Sequence, residues 1–176
     1  GETSWKEPAL FLIARSCQRD GNYQKAAENF KQLLNLAPQS PKAYEYRSRY
    51  GEVLFLLKDY AGAASELKAS LDTFPPTTSA GLKGDIAYKL GQTFFLAGSY
   101  AESADALKSF IGQYSQHKAL ADALFLLVET QEKLKDFTGA IQSCSQIIDK
   151  FPQSRWYYPA LARRGRLSFN KGDYSA

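Results

Sequence analysis

The chain has 176 residues, 44% hydrophobic and 23% charged, which suits a globular domain with enough apolar residues to bury a core. Lys+Arg 22 against Asp+Glu 18 leaves a net charge of +4, spread along the chain, too small by itself to imply nucleic acid or an anionic membrane surface as partner. No apolar run approaches a membrane span, no secretory signal is present, and two cysteines cannot make a disulfide framework.

Chain order reveals a repeat. The turn phrase "RDGNYQKA" (19–26) is followed by "YQKAAENFKQLLNLAP", where the small pair Ala26 and Ala27 leads into Phe30, Leu33 and Leu34. That stripe at i, i+3, i+4 and i+7 predicts a helix, which Pro38 ends. "AYEYRSRYGEVLFLL" then predicts a second kind of helix, carrying Tyr50, Gly51 and Leu54. The cycle restarts at "LKDYAGAA" (57–64), with Ala63, Leu67 and Leu71 before "FPPTT" (74–78).

It continues through "IAYKLGQTFFLAG", with Leu90, Gly91 and Phe94, to "AGSYAESA" (97–104), then Ala104, Leu107, Phe110 and Ile111. After "YSQHK" (114–118) come "ALFLLVETQEKL", with Leu124, Leu127 and Val128, and "LKDFTGAI" (134–141), with Ala140, Cys144, Ile147 and Ile148. "FPQS" (151–154) closes the fourth cycle, and the chain ends on "NKGDYSA" (170–176), the same turn phrase once more. The marker aromatics Tyr23, Tyr60, Tyr100, Phe137 and Tyr174 are spaced by 37, 40, 37 and 37 residues.

The expected fold class is therefore all-α: tandem helix–turn–helix units, each unable to bury its apolar face alone. Glycine or another small residue, as at Gly51 and Gly91, is expected to let the two helices of a unit approach closely. The units are predicted at about 7–40, 44–77, 84–117 and 121–154, with the first helix of a fifth at 158–172. Within that last helix, Tyr158, Leu161 and Gly165 are expected to point inward, and Arg155, Arg163 and Arg166 away. The unfinished fifth unit, the opening Gly and the absence of Met together suggest a processed or trimmed piece of a longer protein.

These residues carry a resemblance. Leu90, Gly91, Phe94, Gly98, Tyr100, Ala104 and Leu107, with a terminal proline in three copies, resemble the tetratricopeptide repeat, over almost the whole chain. That family's usual period is 34, and the extra residues fall at the inter-repeat turn. The longer form is similar to bacterial cell-envelope members such as the lipoprotein subunit of the outer-membrane β-barrel assembly machine and the periplasmic coordinator of the Tol–Pal system. Arg47 and Arg164 stand where apolar residues are usual, and Ser115 replaces the third proline.

The resemblance implies a right-handed superhelix whose first helices line a concave, protein-binding face. Carried onto this sequence, that face comprises Phe11, Arg15, Arg49, Glu52, Phe55, Tyr88, Gln92, Phe95, Phe125, Glu129 and Arg166, with Tyr88, Phe11 and Phe125 as the main partner contacts. Phe11, Ser48, Tyr88 and Phe125 replace the lysine of the chaperone-tail clamp, and Arg15, Glu52, Gln92 and Glu129 its asparagine, so that clamp is absent.

Catalytic signals are weak. His117 is the only histidine and is expected to be solvated in its turn; Cys17 and Cys144 are expected as buried small hydrophobes, too far apart to pair. "AGLKGD" (80–85) lacks the Lys-Ser/Thr of a phosphate loop, and Glu129 and Glu132 read as a solvated helix face. No cofactor and no metal are expected, and no enzyme activity.

The expected function is a protein-interaction scaffold of a bacterial envelope assembly, periplasmic or outer-membrane-associated, with cytoplasmic location as the alternative. The partner is a protein or peptide segment rather than nucleic acid, and a membrane would be met only through an anchor outside this chain. The alternative is a homo-oligomer formed through the uncapped fifth unit or the N-terminal "ETSWKEP" with Trp5.

Overall fold

The computed structural model of the protein describes residues 3–171, with side chains over 5–169. The final turn phrase with Tyr174 lies outside the described residues. Among them are nine helices and no strand: α1 (Thr3–Arg19), α2 (Tyr23–Leu36), α3 (Ala43–Leu56), α4 (Tyr60–Thr73), α5 (Ala80–Leu96), α6 (Tyr100–Gln113), α7 (Leu120–Lys133), α8 (Phe137–Lys150) and α9 (Tyr157–Lys171). Each marker aromatic within these bounds is the first residue of a second helix. α1 begins at Thr3 and contains Pro8 at its sixth position, where the ring supplies no backbone N–H to the helix.

The turn phrase has one physical content. Gly21 (φ 76), Lys58 (φ 64), Gly98 (φ 78) and Lys135 (φ 61) are left-handed and close the preceding helix. Asn22 N donates to Cys17 O at 2.8 Å and Gly21 N to Gln18 O at 3.2 Å, and the same pair of bonds recurs in the other three turns. This is the Schellman arrangement that satisfies the last helical carbonyls. The next residue starts the following helix: Asn22, Asp59 and Asp136 accept from the backbone N–H of Lys25, Gly62 and Gly139. One three-residue phrase thus both stops a helix and starts another.

Six residues separate successive units, at 37–42, 74–79, 114–119 and 151–156. The single 40-residue spacing comes from α5, which has 17 residues where α3 and α7 have 14. The extra three form one more helical turn before Tyr88.

The chain divides into two compact units, 1–79 and 80–176. In the first, Ala14, Ala26, Phe30, Leu33, Tyr46 and Val53 form the core. In the second, Ala104, Leu107, Phe110 and Ala123 form one cluster, and Leu124, Val128, Cys144 and Ile147 another. Each large apolar side chain so buried contributes about 1.5–3 kcal/mol.

Helix pairs close where one partner is small. A Cβ on Gly51 would lie 2.8 Å from Leu67 Cγ, and one on Gly91 2.7 Å from Leu107 Cδ2. The corresponding pair in the fourth unit is inverted: Val128 on the first helix and Cys144 on the second, both fully buried. Cys144 is therefore the small member of its pair, and burial pushes its thiol up to about 11. Cys17 is half-buried against the first core.

Three expectations change. His117 is not solvated: its side chain is 7% exposed, edge-on to Phe110 at 5.2 Å, with Nδ1 accepting from Ala119 N at 3.2 Å and Nε2 3.4 Å from Asp85. Its ring plugs the end of the α5–α6 pair, where Gly84 makes room for it. On α9, Tyr158 and Leu161 are exposed while Ala160, Leu167 and Ser168 face inward. Large residues suggested the wrong phase, because the inward position is held by a small one, Ala160, 37 residues after buried Ala123. Glu129 and Glu132 are paired rather than solvated, as follows.

Candidate protein-binding face

On the first unit, the first-helix residues come from α1 and α3. Phe11 is half-buried, packed edge-on to Phe30 at 6.4 Å and beside Tyr46 at 5.0 Å. The Arg15 guanidinium lies 5.6 Å over that ring. Arg49 Nη1 is 3.3 Å from Glu52 Oε2, to which Gln18 Nε2 donates at 3.5 Å. Phe55, at the end of α3, turns edge-on to Tyr60 at 5.7 Å. An open groove of about 810 Å³ is lined by Leu12, Ile13, Arg15, Gln18, Arg19 and Arg49. Leu12 and Ile13 are 64% and 50% exposed.

On the second unit, Tyr88 of α5 is half-buried with its ring 5.6 Å from Phe110. Burial first, and the Asp122 charge second, raise its phenol above the ordinary range, against a hydrogen bond with Gln92 that lowers it. Phe95 lies edge-on to Tyr100 at 5.6 Å, repeating the Phe55 arrangement.

Phe125 departs from its expected role. It is 7% exposed, stacked on Trp156 at 4.0 Å and 13°, with the Arg163 guanidinium 4.8 Å from its ring. It is a core contact between α7 and the turn before α9. Trp156 is held in place by Nε1 donating to Asp122 Oδ1 at 2.7 Å, an oxygen that Arg155 also meets at 2.5 Å.

The carboxylates beside Phe125 are neutralised. Arg163 Nη2 donates to Glu129 Oε1 at 3.0 Å, and Arg166 Nη2 to Glu132 Oε1 at 2.6 Å. Arg163 Nη1 lies 3.0 Å from Glu132 Oε2 as an ion pair without hydrogen-bond alignment. Both hydrogen-bonded pairs are 34 residues apart. Gln18 and Glu52 share that separation, so it is the register at which neighbouring first helices meet side by side.

A parallel register ties three of the first helices, α1, α5 and α7, to the next inter-repeat turn. Glu7 accepts from Ser40 Oγ at 2.5 Å and Tyr46 Oη at 2.7 Å, which lowers its carboxyl pKa. Asp85 meets Lys118 at 3.3 Å and Asp122 meets Arg155. Sequence reasoning missed these staples and Trp156. The recurring acid–donor spacing of 33 residues was the available signal.

No group of three or more His, Cys, Asp or Glu that could hold a metal occurs among the described residues. None of their helices is long and apolar enough to cross a membrane. The arrangement offers apolar contact and fixed charge, which is the chemistry of holding a chain.

Comparison with known proteins agrees with this architecture. Tetratricopeptide repeat models match residues 11–76, 85–117 and 122–154. No curated protein sequence matches the chain significantly. Among solved structures, MamA protein is similar at 20% identity and TM-score 0.76, over 96% of this chain and 84% of that one. A tetratricopeptide repeat protein from Parabacteroides merdae is 14% identical, TM-score 0.77, over 98% of this chain and 63% of its own. YrrB, described as a TPR protein with an unusual peptide-binding site, is 14% identical, TM-score 0.70, over 94% and 78%. At these identities the likeness speaks for fold, and with the matched repeats it has one conclusion: the chain belongs to the tetratricopeptide repeat family.

Proposed function

We propose that this protein is a non-catalytic scaffold that holds a segment of a partner protein along its first helices, in the concave groove its family resemblance implies, as part of a bacterial envelope assembly. The observation that carries the reading is the α1–α3 groove: Leu12 and Ile13 stand exposed beside Arg15 and Arg49. Exposed apolar side chains rimmed by charge are typical of contact sites. The peptide-binding description of YrrB is consistent with it.

Phe11, Arg15, Arg49 and Glu52 carry the contact on the first unit, with Tyr88 and Gln92 offering half-buried edges on the second. Periplasmic or outer-membrane location is proposed from the resemblance of the longer inter-repeat turns to those of bacterial envelope members, against a cytoplasmic alternative. A photo-crosslinking amino acid at position 12, compared with one at Lys68 on α4, tests this in cells of the source organism. The expected result is one defined partner crosslinked from position 12 alone, recovered in the envelope fraction. Equal crosslinking from both positions would contradict the groove, and recovery in the cytosol would contradict the location.

A second reading, self-association, is favoured by α9. Leu161 is 40% exposed, whereas Leu124, its counterpart 37 residues earlier, is 2%. It predicts a concentration-dependent dimer in sedimentation velocity, lost in Leu161→Asp; a monomer at all concentrations would overturn it.

A further inference from the structure

Resting on the groove reading above, we infer that Arg15 and Arg49 form a seat for a carboxylate side chain of the bound segment, so that the partner is an acidic, apolar stretch of protein. The fourth and first units are offset by 114 residues, the distance from Tyr23 to Phe137. Arg49 therefore corresponds to Arg163, Glu52 to Arg166, Gln18 to Glu132 and Arg15 to Glu129.

On α7 and α9 the arginine at this place is satisfied by carboxylates: Arg163 meets Glu129 and Glu132, each at 3.0 Å. On α1 and α3 the same places hold Arg15 and Gln18. Arg49 keeps its own-helix neighbour Glu52, one turn on, and the seat that Glu129 fills elsewhere is occupied by a like charge. Arg15 has the Phe11 ring as its described partner. Arg49 is 41% exposed where Arg163 is 27% exposed.

Glu52 offers its carboxylate to Arg49, while Arg15, which lines the same groove, has no carboxylate among its described contacts. An anion from outside can make charge-assisted hydrogen bonds to both guanidinium groups and offset their mutual repulsion. Fork-shaped guanidinium groups match a carboxylate well. Arg19, already beside Asp20 at 3.6 Å, adds positive potential at the groove edge. The exposed Leu12 and Ile13 next to this seat select apolar neighbours for the acid. The protein itself shows, at Glu129, which group the seat accepts.

Fluorescence anisotropy with an end-capped octapeptide of alternating leucine and glutamate tests this. Its leucine–glutamine counterpart and an uncapped leucine–glutamine peptide with a free C-terminal carboxylate serve as the other probes. The glutamate peptide is expected to bind at least about tenfold tighter than either of the others. That advantage should vanish in Arg15→Gln/Arg49→Gln. It should vanish also in Arg15→Glu, which is expected to fold normally because it recreates the Glu129–Arg163 pair.

Leu12→Ser/Ile13→Ser should weaken all three peptides alike. Equal binding of the capped peptides, unaffected by the arginine variants but weakened by Leu12→Ser/Ile13→Ser, would overturn the seat and leave the groove standing. Tightest binding of the free-acid glutamine peptide would overturn it in favour of a chain terminus. If no peptide binds at millimolar concentration, the seat and the groove reading both fall.

Discussion

The first helices α7 and α9 and the first helices α1 and α3 use the same scaffold register for opposite ends. On α7 and α9 the carboxylates at that register have opposite partners, Glu129 and Glu132 meeting Arg163 and Arg166, and one residue off it Asp122 meets Arg155 of the preceding turn. Phe125 beneath them is sealed by Trp156. On α1 and α3, Arg15 and Arg49 hold the corresponding places and line one groove, and Leu12 and Ile13 are exposed beside them. Identical geometry with complementary charge makes a helix junction. With like charge it leaves the place where we propose that a partner's carboxylate sits. The difference lies in which side chains the repeat places at fixed positions.

The largest effect should come from breaking the satisfied side. Arg163→Glu leaves three carboxylates together beside Phe125, where Arg163 is 27% and Glu132 19% exposed. A partly buried pair broken this way costs about 3 kcal/mol or more. Urea unfolding should show that loss, and hydrogen exchange should place it in α9. The reverse change on the open side, Arg15→Glu, should leave the urea midpoint unchanged or slightly raised.

A second effect sharpens the packing half of the comparison. Cys144→Leu installs in the fourth unit the residue that Leu67 and Leu107 supply in the second and third, but without the facing glycine. It should destabilise by about 1–3 kcal/mol through overpacking. Val128→Ala in the same chain should recover a substantial part, read as a non-additive double-mutant cycle. Additive losses would show that the two positions do not share one space.

The smallest effect concerns the staples. Asp122 is held by a cation, whereas Glu7 is held by the hydroxyls of Ser40 and Tyr46. Burial first, and the bond to Glu7 second, push the Tyr46 phenol from 10.0 up to about 12. A raised folded-state pKa gives stability that is complete below pH 10 and lost as pH rises towards 12. Glu7, whose folded pKa is lowered, gives stability present above its ordinary value of 4.5 and lost as pH falls through the folded one. Thermal melts of Tyr46→Phe should therefore decline less between pH 10 and 12 than those of the parent. A parallel decline would remove Tyr46 as the source.

Much of the fold was legible because it is written within single helices. The stripe Phe30, Leu33, Leu34, the glycines at 51 and 91, and the turn phrase each need only local spacing to be read. The site was less legible because it is written between helices. Phe125 looks exposed until Trp156, 31 residues later, is laid over it, and Glu129 looks solvated until Arg163 is brought alongside. Once the period is known, opposite charges 34 residues apart become a readable signal, and like charges at that spacing become a sharper one. His117 escaped because a polar turn conceals a ring that packs on Phe110. On α9 the inward position belongs to Ala160, whose small side chain carries little hydropathy signal.

The central claim, that open binding capacity lies on α1 and α3 and has been used up on α7 and α9, is tested most directly by amide chemical-shift mapping. The protein, labelled with ¹⁵N, would be titrated with the capped leucine–glutamate peptide. The account predicts saturable shifts at Leu12, Ile13, Arg15 and Arg49, with Glu129, Glu132, Arg163 and Arg166 unmoved. Shifts centred on α7 and α9, with α1 and α3 silent, would contradict it.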